Sequence, residues 1–100
     1  MSVQLREIGV TADLTVEVPR DRMGDLTDGV RTALGRIDCV RGVDAVEVTG
    51  LTPRLNDLQA EVAAELTVAV ERPEAAAAAD ALEDGFGVAV ETLAVERPPP

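Results

Sequence analysis

Histidine, lysine, tryptophan and tyrosine are all missing from the chain, which holds a single cysteine, Cys39, a single serine, Ser2, and a single aromatic residue, Phe86. Without histidine, the commonest general base, the usual activator of a serine or cysteine nucleophile and the imidazole metal ligand are gone. Without lysine, no Schiff base can form. A lone cysteine permits neither an intrachain disulfide nor a cysteine-based zinc site. A lone aromatic ring makes no stacking platform for nucleobases. Neither a P-loop nor a GxGxxG run occurs, and the nearest glycine pair, Gly85 and Gly87, closes a helical stretch instead of opening one. The chain is therefore expected not to be an enzyme and to need no metal or cofactor.

Long apolar runs are missing too. None reaches the roughly 18–20 residues of a membrane span, and residues 1–9, which carry Arg6 and Glu7, lack the apolar centre of a secretory signal. A cytoplasmic location without membrane contact is expected, and a free thiol suits a reducing compartment.

What is present in excess is negative charge. The 100 residues hold 19 acids against nine basic residues, all of them arginine (positions 6, 20, 22, 31, 36, 41, 54, 72 and 97), for a net charge of −10. A high-GC genome explains arginine in place of lysine but not the surplus of Asp and Glu. In dilute buffer so small a domain repels itself. At molar salt the Debye length falls to about 3 Å, the repulsion fades and the carboxylates remain hydrated. The composition reads as adaptation to a halophilic cytoplasm. Nucleic acid is not an expected partner, because phosphate neutralisation supplies most non-specific affinity.

With 46% apolar residues the chain can bury one core. In residues 8–18, Ile8, Val10, Ala12, Leu14, Val16 and Val18 alternate with Gly9, Thr11, Asp13, Thr15 and Glu17, the period of a strand with one dry and one wet face. Val3 and Leu5 have the opposite parity, which predicts a bulge or break near Arg6 and Glu7. Pro19 ends this strand. Residues 25–37 change to helical spacing, with Leu26, Val30, Ala33, Leu34 and Ile37 on one stripe and Asp25 as a candidate N-cap. A strand is predicted at 43–49 and another at 58–70, joined by a turn-rich connection over 50–57 (GLTPRLND). Pro73 suits the first position of a second helix, which runs through the alanines at 75–79 and Leu82 and is stopped by Gly85 or Gly87. Residues 86–95 form the last strand, and Pro98, Pro99 and Pro100 make a tail that cannot join a sheet.

The order β-α-β-β-α-β is that of two βαβ units joined by a hairpin. It predicts an α/β (α+β) ferredoxin-like sandwich, a single domain over 1–97 with one antiparallel four-stranded sheet and two helices on one face. The outer face, bearing Thr, Asp and Glu, is expected to be solvated.

Few residues remain as candidates for function. The polar, proline-containing connection, with Thr49, Thr52, Arg54, Asn56 and Asp57, is the candidate binding segment for a ligand or partner. Arg54 is the only basic residue between positions 42 and 71. Cys39, near Arg36 and Arg41, is either an activated thiol or a core filler at a helix-to-strand corner, and the second is expected. Asp21, Asp25 and Asp28, and likewise Asp80, Glu83 and Asp84, lie close in sequence without an EF-hand spacing and are expected to be hydrated surface. Arg20, Arg22, Arg31 and Arg36 read as partners of nearby acids. Residues 37–50 resemble the ACT and Lrp/AsnC-type ligand-binding domains, in which a helix leads to a GVxxVxV strand, here Gly42, Val43, Val46 and Val48, followed by Thr49 and Gly50. The resemblance implies pairing through the sheet or its edges, with a small molecule held at the interface. The function expected is a non-catalytic interaction or assembly module, acting as a homodimer or with a protein partner. The alternative is an ACT-like sensor of a small molecule.

Overall fold

Strict alternation is the simplest instruction in this chain, and it builds the middle of the sheet. The computed structural model describes residues 4–19, 26–85 and 87–97. Its elements are β1 (Arg6–Pro19), α1 (Leu26–Gly35), β2 (Val40–Pro53), β3 (Asp57–Val70), α2 (Ala75–Glu83) and β4 (Val88–Arg97). The four strands form one antiparallel sheet in the order β2-β3-β1-β4, the ferredoxin-like arrangement. The two most regular strands, β1 and β3, are central and pair without interruption from Arg6 opposite Val70 to Pro19 opposite Asp57.

One face of this pair is dry. Ile8, Val10, Leu14, Val16, Val62, Leu66 and Val68 are buried under Val30 and Leu34 of α1 and Ala78 and Leu82 of α2. Small residues at the centre, Ala12, Ala60 and Ala64, let the helices sit close to the sheet. Ile37, just past the end of α1, closes one side of the core. Gly85 packs directly against it: a Cβ at Gly85 would stand 2.6 Å from Ile37 Cγ1. Gly87 has φ of +74°, a conformation that L side chains rarely adopt, and its carbonyl accepts a 2.9 Å hydrogen bond from the Glu17 amide.

The edge strands are less regular. The β2·β3 register shifts three times, leaving Arg41, Asp44 and Thr49 as extra residues in β2; the β1·β4 register shifts twice, leaving Glu91 and Glu96. Each shift is a β-bulge, which twists the strand and breaks the line of edge hydrogen-bonding groups. Four of these five extra residues are charged, a further obstacle to strand pairing at an open edge.

Several boundaries differ from those expected. Of the bulge or break expected near Arg6 and Glu7, the structure has the break: β1 begins at Arg6 in regular register, and Leu5, outside the strand and 52% exposed, has no parity to keep. Strand β2 is twice as long as the predicted 43–49, because its bulges place Val43, Val46, Val48 and Leu51 on one face at spacings of three, two and three. The second helix starts at Ala75, not Pro73: Glu74 is extended (φ −121°, ψ 148°) and acts as N-cap without a side-chain hydrogen bond. Strand β4 starts two residues later than predicted and runs to Arg97. The proposed cap Asp25 and the prolines at 98–100 lie outside the described residues.

Candidate functional site

The extension of β2 to Pro53 changes the candidate segment. What read as a connection over 50–57 is mostly ladder, and only Arg54, Leu55 and Asn56 remain as loop. Proline is tolerated at position 53 because β2 is an edge strand. The Arg54 amide closes the turn with a 2.9 Å hydrogen bond to the Asp57 carbonyl.

The five predicted residues do not converge. Thr49 is a bulge residue whose hydroxyl donates to the Glu61 carbonyl at 3.2 Å. Thr52 stands opposite Gln59. Arg54 donates through Nε (2.8 Å) and Nη2 to Gln59 Oε1, so its guanidinium lies along the hairpin. Asn56 is exposed at the tip. Asp57 opens β3 opposite Pro19, which has no amide hydrogen to offer, and its Oδ1 is enclosed without a hydrogen-bond partner. An enclosed, unpaired oxygen costs about 1–3 kcal/mol. Asp57→Ala is therefore expected to hold or raise the melting temperature, by about 4–8 °C per kcal/mol recovered. A fall of that size in a thermal melt would instead show that the carboxylate is needed.

What the polar candidates share is two neighbours that the sequence reading passed over. Leu51, on the helix side opposite Ala60, is 48% exposed, and Leu55 at the tip is 89% exposed. Together with Leu5 they are the exposed large hydrophobic residues among those described. The signal was available: Leu55 interrupts a polar turn between Arg54 and Asn56, where no core can reach it.

The other candidates are quiet. Cys39 is half-buried beside a depression of about 270 Å³ lined by Arg36, Asp38, Ala81, Asp84 and Gly85. Burial pushes its thiol pKa up, outweighing its own backbone hydrogen bond and the pull of Arg41, so the activated-thiol reading loses its physical basis. Among the described residues no three acids, cysteines or histidines are placed to share a cation. Glu83 accepts a hydrogen bond from the Val90 amide at 3.2 Å, and Arg31 donates to the Val43 carbonyl at 3.1 Å. Asp21, Asp25, Arg20 and Arg22 lie outside the described residues.

The open face of the sheet has an order of its own. Asp13 faces Ala63, Glu17 faces Gln59, Glu61 faces Thr15 and Glu65 faces Thr11, while Glu47 of β2 also faces Ala63. No two carboxylates in this set stand directly opposite each other, so like charges meet only on diagonals, about 7–8 Å apart. Threonines hold neighbouring acids: Thr92 donates to Asp13 at 2.8 Å, Thr67 to Asp44 at 3.0 Å and Thr15 to Glu91 at 3.2 Å. Every described carboxylate except that of Asp57 is exposed. No described helix is long and apolar enough to cross a membrane.

Comparison with known proteins adds no relative: no family model matches the chain, and no curated protein or solved structure is significantly similar to it.

Proposed function

We propose that this chain is a non-catalytic assembly module of a halophilic cytoplasm, which works by associating with a second copy of itself. The observation that carries the reading is the location of its exposed apolar side chains. On a surface rich in carboxylates, Leu51 and Leu55 are exposed at the end of the β2–β3 hairpin. Apolar side chains grouped at one place and rimmed by polar residues are characteristic of contact surfaces. The ACT-like alternative is weaker here, since pairing through a sheet edge would have to pass the charged bulges of β2 or β4.

Light scattering behind a sizing column in about 2 M KCl, where charge repulsion is screened, tests the proposal. With the protein raised to millimolar concentration the mass should exceed the 10.5 kDa of one chain. A constant monomer mass, together with a thermal shift produced by an amino acid or nucleotide, would overturn it in favour of small-molecule sensing.

A further inference from the structure

The exposed leucines fall at the two ends of one ladder. Leu51 and Leu55 sit where β3 begins, and Leu5 sits where β3 ends, next to the Arg6–Val70 pair. Fourteen strand residues span about 46 Å, which matches the long dimension of the molecule, 43 Å. The hairpin end is convex, a tip. The Leu5 end is concave: a depression of about 310 Å³ is lined by Leu5, Val70, Ala77 and Ala81, with Glu71, Arg72 and Asp80 at its rim. Both features lie on the helix-bearing side, since Leu51 points toward that layer and the depression is walled by α2. The tip carries Arg54, and two of the three charges at the rim are acids.

Resting on the assembly reading, we infer that copies of this chain associate head to tail, the Leu51/Leu55 tip of one entering the Leu5/Ala77/Ala81 depression of the next. A second copy is the occupant because one chain supplies both halves, knob and recess, and because the rim acids complement Arg54. The two halves are too far apart to meet within one molecule. Such a contact is heterologous: each copy that joins leaves a free tip at one end and a free recess at the other, so growth is open-ended unless the rotation closes a ring. A hairpin tip covers little area, which places the contact at the weak end of protein interfaces. Net repulsion between copies opposes it at low salt.

Two half-blocked variants decide the matter. Leu55→Asp spoils the tip and Leu5→Asp spoils the recess; both residues are exposed and outside regular structure, so both variants should keep the parent's circular dichroism and melting temperature. In about 2 M KCl the wild-type mass should climb past the dimer as concentration rises. Each variant alone should stay monomeric, and an equimolar mixture should give a dimer and stop there, because one sound tip meets one sound recess. A wild type that stops at a sharp dimer, with no rescue on mixing, would overturn the head-to-tail arrangement while leaving self-assembly standing. A monomeric wild type throughout would overturn both.

Discussion

Leu66→Ala is expected to remove about 2–5 kcal/mol of stability, read as a fall in melting temperature of about 10–30 °C for a domain of this size. Leu66 is fully buried in β3, with Val10 of β1 on one side and Val43 of β2 on the other. The core around it is built from valine and alanine, and its largest fully buried side chains are Ile8, Leu14, Leu34, Leu66 and Leu82. No aromatic ring is among them to refill a gap, and a valine has too few side-chain torsions to collapse into one. The cavity should therefore persist, which puts the loss toward the upper part of the range. Domains of this kind have only about 5–15 kcal/mol in total, so the variant should be partly unfolded at low salt. Leu55→Ala is the control: at 89% exposure it should change stability by no more than about 0.5 kcal/mol. Urea melts of both at one KCl concentration make the comparison, and a Leu66→Ala loss below about 1 kcal/mol would mean that the core collapses around the site.

The same contrast between regular and irregular packing explains what could be read from the residues alone. Strands β1 and β3 alternate without error because they pair with each other in continuous register and the bulges fall on the edge strands, so period two survives along their length. The order of elements, and with it the ferredoxin-like topology, followed from those strands and the two helical stripes. Strand β2 was read as half its length because bulges at Arg41, Asp44 and Thr49 shift the apolar parity three times. Period counting stops at each shift, although the backbone continues. From composition alone Gly50 to Pro53 look like loop, which puts Thr49 and Thr52 in one polar segment with Arg54, Asn56 and Asp57, whereas the ladder separates them. The apolar tip is legible only in part: Leu55 stands out inside a polar turn, whereas Leu51 counts as core until a structure shows that nothing covers it. Gly85 gave no clue either, since its reason is the side chain of Ile37, distant in sequence and 2.6 Å from where a Cβ would stand.

Salt should act on this fold more strongly than on most, and the open face allows the size to be estimated. Asp13, Glu17, Glu47, Glu61 and Glu65 form a staggered array with five diagonal contacts: Asp13 to Glu61 and Glu65, Glu17 to Glu61, and Glu47 to Glu61 and Glu65. At about 7 Å in a dielectric near that of water, each diagonal repels by about 0.6 kcal/mol, or roughly 3 kcal/mol for the set. With a Debye length of about 10 Å at 0.1 M salt, about half of that remains; above 1 M, where the length is about 3 Å or less, nearly all of it is gone. The folded state therefore gains about 1.5 kcal/mol from this face between 0.1 and 2 M KCl, equivalent to about 6–12 °C in melting temperature. The unfolded chain spreads the same charges apart and gains less. The surrounding surface carries the rest of the net charge of −10, so a total rise of at least about 10 °C is expected. Differential scanning calorimetry across a KCl series reads it directly. The double variant Glu61→Gln/Glu65→Gln removes all five diagonals, and should melt higher than the parent at 0.1 M while converging with it at about 2 M. A parent curve that is flat in KCl, or a double variant that keeps the full salt slope, would show that the acidic face is not what ties this protein to salt.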